Sequence, residues 1–340
     1  MATAQISAVT KKRLRLLADK YETCTFSNGD PSCILQKYHA IADKEVAAFV
    51  VALLSFGRRD LFMKKADAIF ALAGKQPAVW IKSGDWQNDF PRGSKKFYRF
   101  YSYDDMRAVF AVLQTILAKE KTFGAYVRKL YEAAIVCSAN ATAAVDMNGA
   151  MSEPVIAACT AKTAVVTCVS RETVSVDASK ATHAAAVADM NRTARIAQSA
   201  DSSDCCENTP HLSEIISCIF SGCRAVPQAA ESANKRIHMF LRWMVRTNSP
   251  VDVGLWTWYS PADLIIPLDV HVLRQAIKLN LVPPKSSASA KTARQLTAVL
   301  KQIWPDDPCR GDFALFGLGI DAQGIGGAPA CVVRRLPDVR

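Results

Sequence analysis

The residue with the clearest potential for covalent chemistry is a lysine that opens a predicted helix. Lys235 precedes apolar residues at helical spacing, which predict a helix over 234–246 with one buried face. In the first turn, the positive end of the helix dipole disfavours an ammonium ion. If the amine is also partly buried, its pKa falls and the amine becomes a nucleophile. An ordinary solvated cation is the alternative interpretation.

The same predicted helix has a second, basic face. Its basic residues, spaced 3, 4 and 4 positions apart, are Lys235, His238, Arg242 and Arg246. Residues at this spacing share one side of a helix. The stripe is therefore expected to bind anionic groups, with a solvated face that binds nothing as the alternative.

A second chemically interesting residue is an aspartate at another predicted helix start. Pro267 disfavours helix at the residue before it, and Asp269 is then placed as the N-cap of a helix over 269–279. Its carboxylate should accept hydrogen bonds from backbone amides two or three residues further on. Capping alone would explain the residue, but a capped carboxylate is also rigid and aimed.

The elements that must position these side chains are predicted to be helical. Apolar residues recur at helical spacing, and no segment shows the alternation of a strand followed by a hairpin turn. The predicted helices cover 46–56, 61–73, 106–118, 213–220, 234–246, 269–279, 290–303 and 313–318. We therefore expect an all-α fold with two helical lobes and a cleft.

A segment of different composition divides the helices into two groups. Residues 139–208 are rich in Ala, Thr, Ser and Val and contain no aromatic residue, which predicts a poorly ordered, low-complexity insertion. The expected organisation is an N-terminal helical part (1–138), this insertion (139–208), a C-terminal helical part with both motifs (209–321) and a tail (322–340).

The charge of the chain favours a polyanionic partner. The net charge is +11, and because the insertion has 5 Lys/Arg against 8 Asp/Glu, the remainder carries +14. A strongly basic folded part suggests nucleic acid, with simple solubility as the alternative.

The longest apolar run, 46–56, is too short to span a membrane, and no signal peptide is recognisable. The eleven cysteines match no standard zinc spacing, so no metal site is expected.

Several of these segments resemble one superfamily of DNA repair enzymes. Residues 267–274 resemble the V-D-T-H-V-x-R segment of the endonuclease III and adenine/8-oxoguanine glycosylases, which share the helix-hairpin-helix fold. Lys235 precedes Asp269 by 34 residues, which is similar to the catalytic lysine of archaeal 8-oxoguanine glycosylases. Residues 312–319 resemble the closing helix, and 49–59 the L-L-S-x-Q helix and the loop that wedges into DNA.

Apart from the insertion, the chain resembles a family of unknown function more closely. The shared motifs are K-R-x-x-M-F-L-R-W-M-V-R, S-P-x-D-L-I-I-P-L-D-x-H-V and D-F-A-L-F, and the resemblance covers about residues 31–135 and 210–320. Two features of the repair enzymes are missing. The L-P-G-x-G hairpin is replaced by 229–234, which has no glycine to let amides approach a phosphate. The four-cysteine iron–sulfur loop is also absent.

The resemblance implies roles for particular residues. Lys235 would attack the sugar C1′ and Asp269 would stabilise the developing positive charge. The residues expected to contact nucleic acid are Arg58, Arg59, Arg236, His238, Arg242, Arg246 and His271. Those expected to stack on a flipped base are Phe56, Trp256 and Trp258, although buried tryptophans are commoner.

The sequence therefore predicts a base-excision DNA glycosylase, with possible abasic-site lyase activity. The alternatives are a non-catalytic nucleic-acid-binding protein of the same fold, and an enzyme acting on RNA or a nucleotide. DNA, or RNA, is the expected partner of an intracellular, nuclear or cytoplasmic monomer that needs no cofactor.

We expect the affinity for duplex DNA to depend steeply on salt. Each phosphate contact releases a bound counterion, so six or more contacts would weaken binding by about 10³-fold or more between 50 and 200 mM salt. Fluorescence anisotropy with a labelled duplex measures this slope. Binding that ignores salt, or no binding at low salt, would argue against a nucleic-acid role.

Overall fold

The computed structural model describes residues 5–27, 30–148, 210–228 and 230–322, and these residues are mostly helical. The α-helices, in chain order, are α1 (Ala8–Tyr21), α2 (Cys24–Ser27), α3 (Ile41–Leu54), α4 (Arg59–Ala73), α5 (Pro77–Ser83), α6 (Trp86–Asp89), α7 (Tyr103–Lys119), α8 (Phe123–Asn148), α9 (Leu212–Ile219), α10 (Lys235–Val245), α11 (Val270–Lys278), α12 (Ala290–Leu300) and α13 (Arg310–Ala322). Short 3-10 helices span Pro31–Lys37 and Pro261–Asp263. The helical fold class is thus confirmed.

Two short strands were not expected from the sequence. They are β1 (Lys96–Tyr98) and β2 (Tyr101–Ser102). Both contain aromatic residues, which favour extended backbone. Because they are only three and two residues long, they leave no room for the alternation that predicts a strand.

The chain forms two compact units, and each contains helices from both sides of residues 149–209. The first unit contains α1 to α6, β1 and α10 to α13. The second contains β2, α7, α8 and α9. Helix α8 continues to Asn148 and so enters the segment predicted as an insertion, whose alanines favour helix. The rest of that segment, and the tail beyond 322, lie outside the described residues.

Helix α3 is the central element of the first unit. Every residue from Val46 to Leu54 is buried, which explains why this stretch is almost continuously apolar. Helix α10 packs against it, and the rings of Phe49 and Phe240 meet edge to face with centroids 5.3 Å apart. Helix α10, which begins at Lys235, therefore packs against a helix that is buried from Val46 to its end.

A second part of the same unit joins the N-terminal helix to the last three helices. Helix α1 packs along α13, and α13 also packs against α11. Leu14, Val272, Leu296 and Leu315 belong to this core, one from each of α1, α11, α12 and α13. The core fixes α11, at whose start Asp269 lies.

The second unit is held by α7, α8 and α9. Helix α7 begins with a capping box, in which Ser102 and Asp105 exchange hydrogen bonds with each other's backbone amides. Phe123 of α8 meets Phe220 edge to face at 5.9 Å, and the Tyr101 hydroxyl donates to the Ala225 carbonyl at 2.8 Å. Buried aromatic residues thus join these helices.

The basic stripe predicted on α10 is wrong for Arg242 and Arg246. Arg242 is 4% exposed as a side chain, and its guanidinium donates to Asp252 at 3.2 Å and to Asp312 at 2.5 Å. Arg246 is 1% exposed and donates to Asp307 at 2.9 Å and to Asp252. Neighbouring carboxylates neutralise the charges of Arg242 and Arg246, so neither residue is placed to contact phosphate.

Further carboxylates complete this network. Glu22, which ends α1, accepts from Arg246 at 2.5 Å and from Arg310 at 2.9 Å, and Asp30 lies 3.5 Å from Arg242. The ring of Phe313 lies 4.5 Å from the guanidinium carbon of Arg242. The acids come from sites far apart in the sequence, so the network ties the unit together.

We expect replacement of Asp252 by alanine to destabilise the protein strongly. Asp252 bridges two buried arginines, and loss of one partner of a buried ion pair typically costs about 3–5 kcal/mol. The matched control is Asp67→Ala, which removes an exposed pair with Lys37 and should cost less than about 1 kcal/mol. Urea unfolding measures both. Equal losses would contradict a structural role for the buried network.

Candidate active site

The segment before α10 turns through a left-handed residue. Asn234 is the N-cap of α10 with φ 50° and ψ 35°. Outside glycine, asparagine is among the residues that adopt this conformation most readily. The turn therefore forms here without the glycine of the L-P-G-x-G hairpin.

The same segment is anchored to the beginning of α12. Ser232 forms an isolated antiparallel bridge with Ser289, and the Ala290 amide donates to the Glu231 carbonyl at 2.8 Å. Ala233 is buried in the core that contains α11 and α12. These contacts fix Lys235, the first residue of α10, relative to α11 and α12.

The predicted capping by Asp269 is confirmed. Its Oδ1 accepts from the His271 amide at 2.8 Å and from the Val272 amide at 2.9 Å. Just before it, the Ile266 amide donates to the Thr297 hydroxyl of α12 at 3.1 Å. The carboxylate is thus held by its own helix and by the chain leading into it.

Lys235 and Asp269 form a direct ion pair within the first unit. Lys235 Nζ donates to Asp269 Oδ2 at 2.8 Å, the oxygen that the cap leaves available. The side chains are 37% and 24% exposed, so solvent reaches both. Burial pushes the pKa of Asp269 upward, but Lys235 and the two capping amides outweigh it and the pKa lies below its usual value. The carboxyl is therefore ionised at neutral pH.

A third carboxylate acts on the pair electrostatically. Burial raises the pKa of Asp312, while Arg242 and Lys235 oppose the rise and Asp269 adds to it. Asp312 lies in the first turn of α13 and accepts from Arg242. The sequence analysis assigned it no role, because only the fold brings α13 to the start of α10.

The structure contradicts the predicted place of His238, whereas the contact of Arg236 with nucleic acid stays a prediction. His238 is buried, so its place on an exposed basic stripe is wrong. Arg236 is half-buried, and burial lowers its pKa to about 10. Its Nη1 donates to the Leu53 carbonyl at 3.1 Å, and its guanidinium lies 5.2 Å from the centre of the Phe56 ring. Spacing places residues on one helix face but does not tell what covers that face.

The three residues predicted to stack on a base have different environments. Trp256 is buried and its indole donates to Glu45 at 2.8 Å, so its stacking role is wrong. Trp258 is half-buried and stacks on Trp256, with centroids 5.6 Å apart. Phe56 is half-buried and is the one of the three that lies beside the α10 start, in contact with Arg236.

Other predicted contact residues lie at the surface. Arg58 is exposed and pairs with Asp60 at 2.8 Å, Arg59 opens α4, and His271 is exposed beside Asp269.

Within the described ranges, no group of three or more His, Cys, Asp or Glu residues is arranged to hold a metal ion. In the same part of the chain, no helix combines the length and apolarity needed to cross a membrane.

One family model matches most of the chain, over residues 30–157 and 161–321. The chain belongs to the family described as protein of unknown function (DUF2400). The predicted resemblance to a family of unknown function is thereby confirmed. The DUF2400 match includes Lys235 and Asp269, and it runs through most of the segment expected to be an insertion. No curated protein and no solved structure matches the chain.

We expect replacement of Lys235 by glutamine to make stability depend differently on pH. The folded pKa of Asp269 is depressed, so the pair stabilises the protein above the ordinary carboxyl pKa, and this contribution disappears as pH falls through the depressed pKa. The loss in Lys235→Gln should be less than about 1 kcal/mol at pH 7, because the pair is partly exposed, and should shrink towards acid pH. Urea unfolding at several pH values measures it.

The control for this prediction is Lys285→Gln, at an exposed loop lysine. Its effect should be small and independent of pH. A loss in Lys235→Gln that stays constant from neutral to acid pH would show that the ion pair does not set the ionisation of Asp269.

Proposed function

We propose that the protein is a DNA glycosylase that also cleaves abasic sites through a Schiff base on Lys235. The observation that carries the proposal is the contact of Lys235 Nζ with Asp269 Oδ2 at 2.8 Å. A lysine nucleophile beside a fixed carboxylate is what a glycosylase-lyase needs. The resemblance of 267–274 to the V-D-T-H-V-x-R segment of the endonuclease III superfamily points the same way.

Lys235 acts as the nucleophile once it has lost a proton. The proton passes from Nζ to Asp269 Oδ2 along their hydrogen bond, and the amine then attacks C1′ of the target nucleotide. The C1′–N bond of the base breaks, and its electron pair leaves with the base. The base takes up the proton held by Asp269.

Cleavage of the strand follows from the covalent intermediate. The C1′–O4′ bond opens, O4′ becomes a hydroxyl, and C1′ and Nζ form an iminium. Loss of a proton from C2′ then expels the 3′-phosphate from C3′. Once the departing base has taken the proton from Asp269, the restored carboxylate stabilises the positive charge of the iminium.

Asp269 is well suited to this role because its position does not depend on the substrate. Its Oδ1 stays on the His271 and Val272 amides while Oδ2 faces Lys235. A group that is already oriented needs no reorganisation during the reaction. Side-chain exposure of 24% leaves room for a sugar to approach.

Phosphate contacts are assigned to the cations that remain accessible. Arg58 and Arg59 lie at the start of α4, and His271 lies beside Asp269. These side chains would hold the strand while the target base is flipped out of the stack. Arg242 and Arg246 have no part in this, because they are buried among carboxylates.

A non-catalytic nucleic-acid-binding protein is the second candidate, and one observation favours it. The Lys235 ammonium is already satisfied by Asp269, so the pair also makes sense as a device that joins α10 to α11. The surface cations would then bind DNA without chemistry. The two candidates differ in whether a covalent adduct forms.

We expect borohydride to trap a covalent adduct between the full-length protein and a duplex that contains an abasic site. Lys235→Gln should form at least about 100-fold less adduct than the wild type, because the attacking amine is gone. Its affinity for the duplex should stay within a few-fold of the wild-type value. Asp269→Asn should fold normally, since asparagine also caps helices, but trap about 10²-fold more slowly. Gel electrophoresis of the reduced adduct measures the rates.

Lys285→Gln is the control for nonspecific Schiff bases and should trap like the wild type. Undiminished trapping by Lys235→Gln would refute the assignment of the nucleophile. Salt-dependent DNA binding without any adduct from the wild type would support the non-catalytic candidate.

A further inference from the structure

A phenylalanine on the surface of the first unit is held in a stack rather than buried. Phe100 is 50% exposed, and its ring lies 4.7 Å from that of Phe56 with only 21° between the planes. Core pairs such as Phe49 and Phe240 meet edge to face instead. A flat aromatic ring that is half open to solvent offers a surface for another flat group.

Neighbouring side chains hold Phe56, the inner ring of the Phe56–Phe100 pair, in place. The guanidinium of Arg236 lies 5.2 Å from the Phe56 ring centre, and the Tyr98 ring lies 4.9 Å from it. The Tyr98 hydroxyl also donates to the Phe56 carbonyl. With Phe56 fixed by these contacts, Phe100 rests on an ordered surface, and little conformational entropy remains to be lost when a ligand stacks on it.

This stack adjoins the candidate active site. Arg236 follows Lys235 in the first turn of α10 and contacts both Phe56 and the Leu53 carbonyl. A group bound on Phe100 would therefore lie on the side of the site formed by the end of α3. The sequence analysis placed Phe56 near DNA but did not include Phe100.

Exposed cations neighbour the two rings along the chain. Arg58 follows Phe56 by two positions and pairs with Asp60, and Arg99 directly precedes Phe100. Gly57 has φ 81°, and a side chain there would collide with the Arg99 guanidinium. The positive φ favours glycine here, and its missing side chain leaves space for the Arg99 guanidinium. Cations around an aromatic platform match a strand of nucleic acid.

We propose that Phe56 and Phe100 form a stacking platform for the base left unpaired opposite the flipped nucleotide. The proposal rests on the proposed function for its choice of DNA as ligand. Flipping leaves the partner base without a hydrogen-bonded neighbour. Phe100 offers a ring face to that base, while Arg58 and Arg99 neutralise the adjoining phosphates.

The test measures affinity in the Lys235→Gln background, which makes it independent of catalysis. The probes are a duplex that contains a tetrahydrofuran abasic analogue and the same duplex fully paired. Phe100→Ala should weaken binding of the analogue duplex about tenfold, the loss typical of one aromatic–base stack, and leave the paired duplex unchanged. Phe100→Trp should keep the preference and Phe100→Leu should lose it, because stacking needs a ring and not only apolar bulk.

Leu72→Ala is the matched control, since Leu72 is a similarly exposed apolar residue at the other end of α4. A second readout uses 5-iodouracil opposite the analogue. Irradiation of the Phe100-containing protein should crosslink this base to the peptide around Phe100, as identified by mass spectrometry. A crosslink confined to other peptides would overturn the proposal even if one variant failed to fold.

Two further outcomes separate this proposal from the proposed function. If Phe100→Ala binds both duplexes as the parent does while the wild type still forms the borohydride adduct, the platform is refuted and the enzyme assignment stands. If the analogue preference depends on Phe100 but no adduct forms, the platform stands and the lyase assignment fails. Equal weakening on both duplexes would overturn the platform, since an electrostatic contact explains it.

Discussion

The burial of Arg242 and Arg246 is the constraint on which the rest of the first unit depends. Two guanidiniums cannot remain in an apolar interior without counter-charges. The chain supplies carboxylates from the end of α1, from the loop after α10 and from the segment that leads into α13. Because Arg242 lies in α10 and Arg246 is its C-cap, satisfying them fixes that helix, and with it the position of Lys235 at its start.

The same network reaches the candidate site through one residue. Asp312 accepts from Arg242 and also acts on Lys235 and Asp269 electrostatically. The Lys235–Asp269 pair therefore lies close enough to the buried charges to interact with Asp312 electrostatically. Arg242 thus links the packing of α10 to a carboxylate that interacts with the Lys235–Asp269 pair.

Local sequence patterns predicted several helices and one helix cap, but not the features that depend on residues distant in the sequence. The spacing of apolar residues predicted α4 and α7, and Pro267 with the residues after it predicted the cap at Asp269, because these depend on neighbours within a few positions. The burial of Arg242 among carboxylates could not be predicted, because its partners Asp30 and Asp312 are distant in sequence. Likewise, nothing in the sequence predicted the left-handed conformation of Asn234 before α10.

The degree of burial separates the two kinds of ion pair in this protein. Arg242 and Asp252 are almost completely shielded, so separating them would leave charges stranded in a medium of low polarity. Lys235 and Asp269 make a shorter contact, 2.8 Å against 3.2 Å, but are partly open to water. Separating the second pair costs little, because solvent or a substrate can replace each partner. The nucleophile proposed here must leave its carboxylate to reach a sugar carbon, and the low cost of separating Lys235 from Asp269 is compatible with that step.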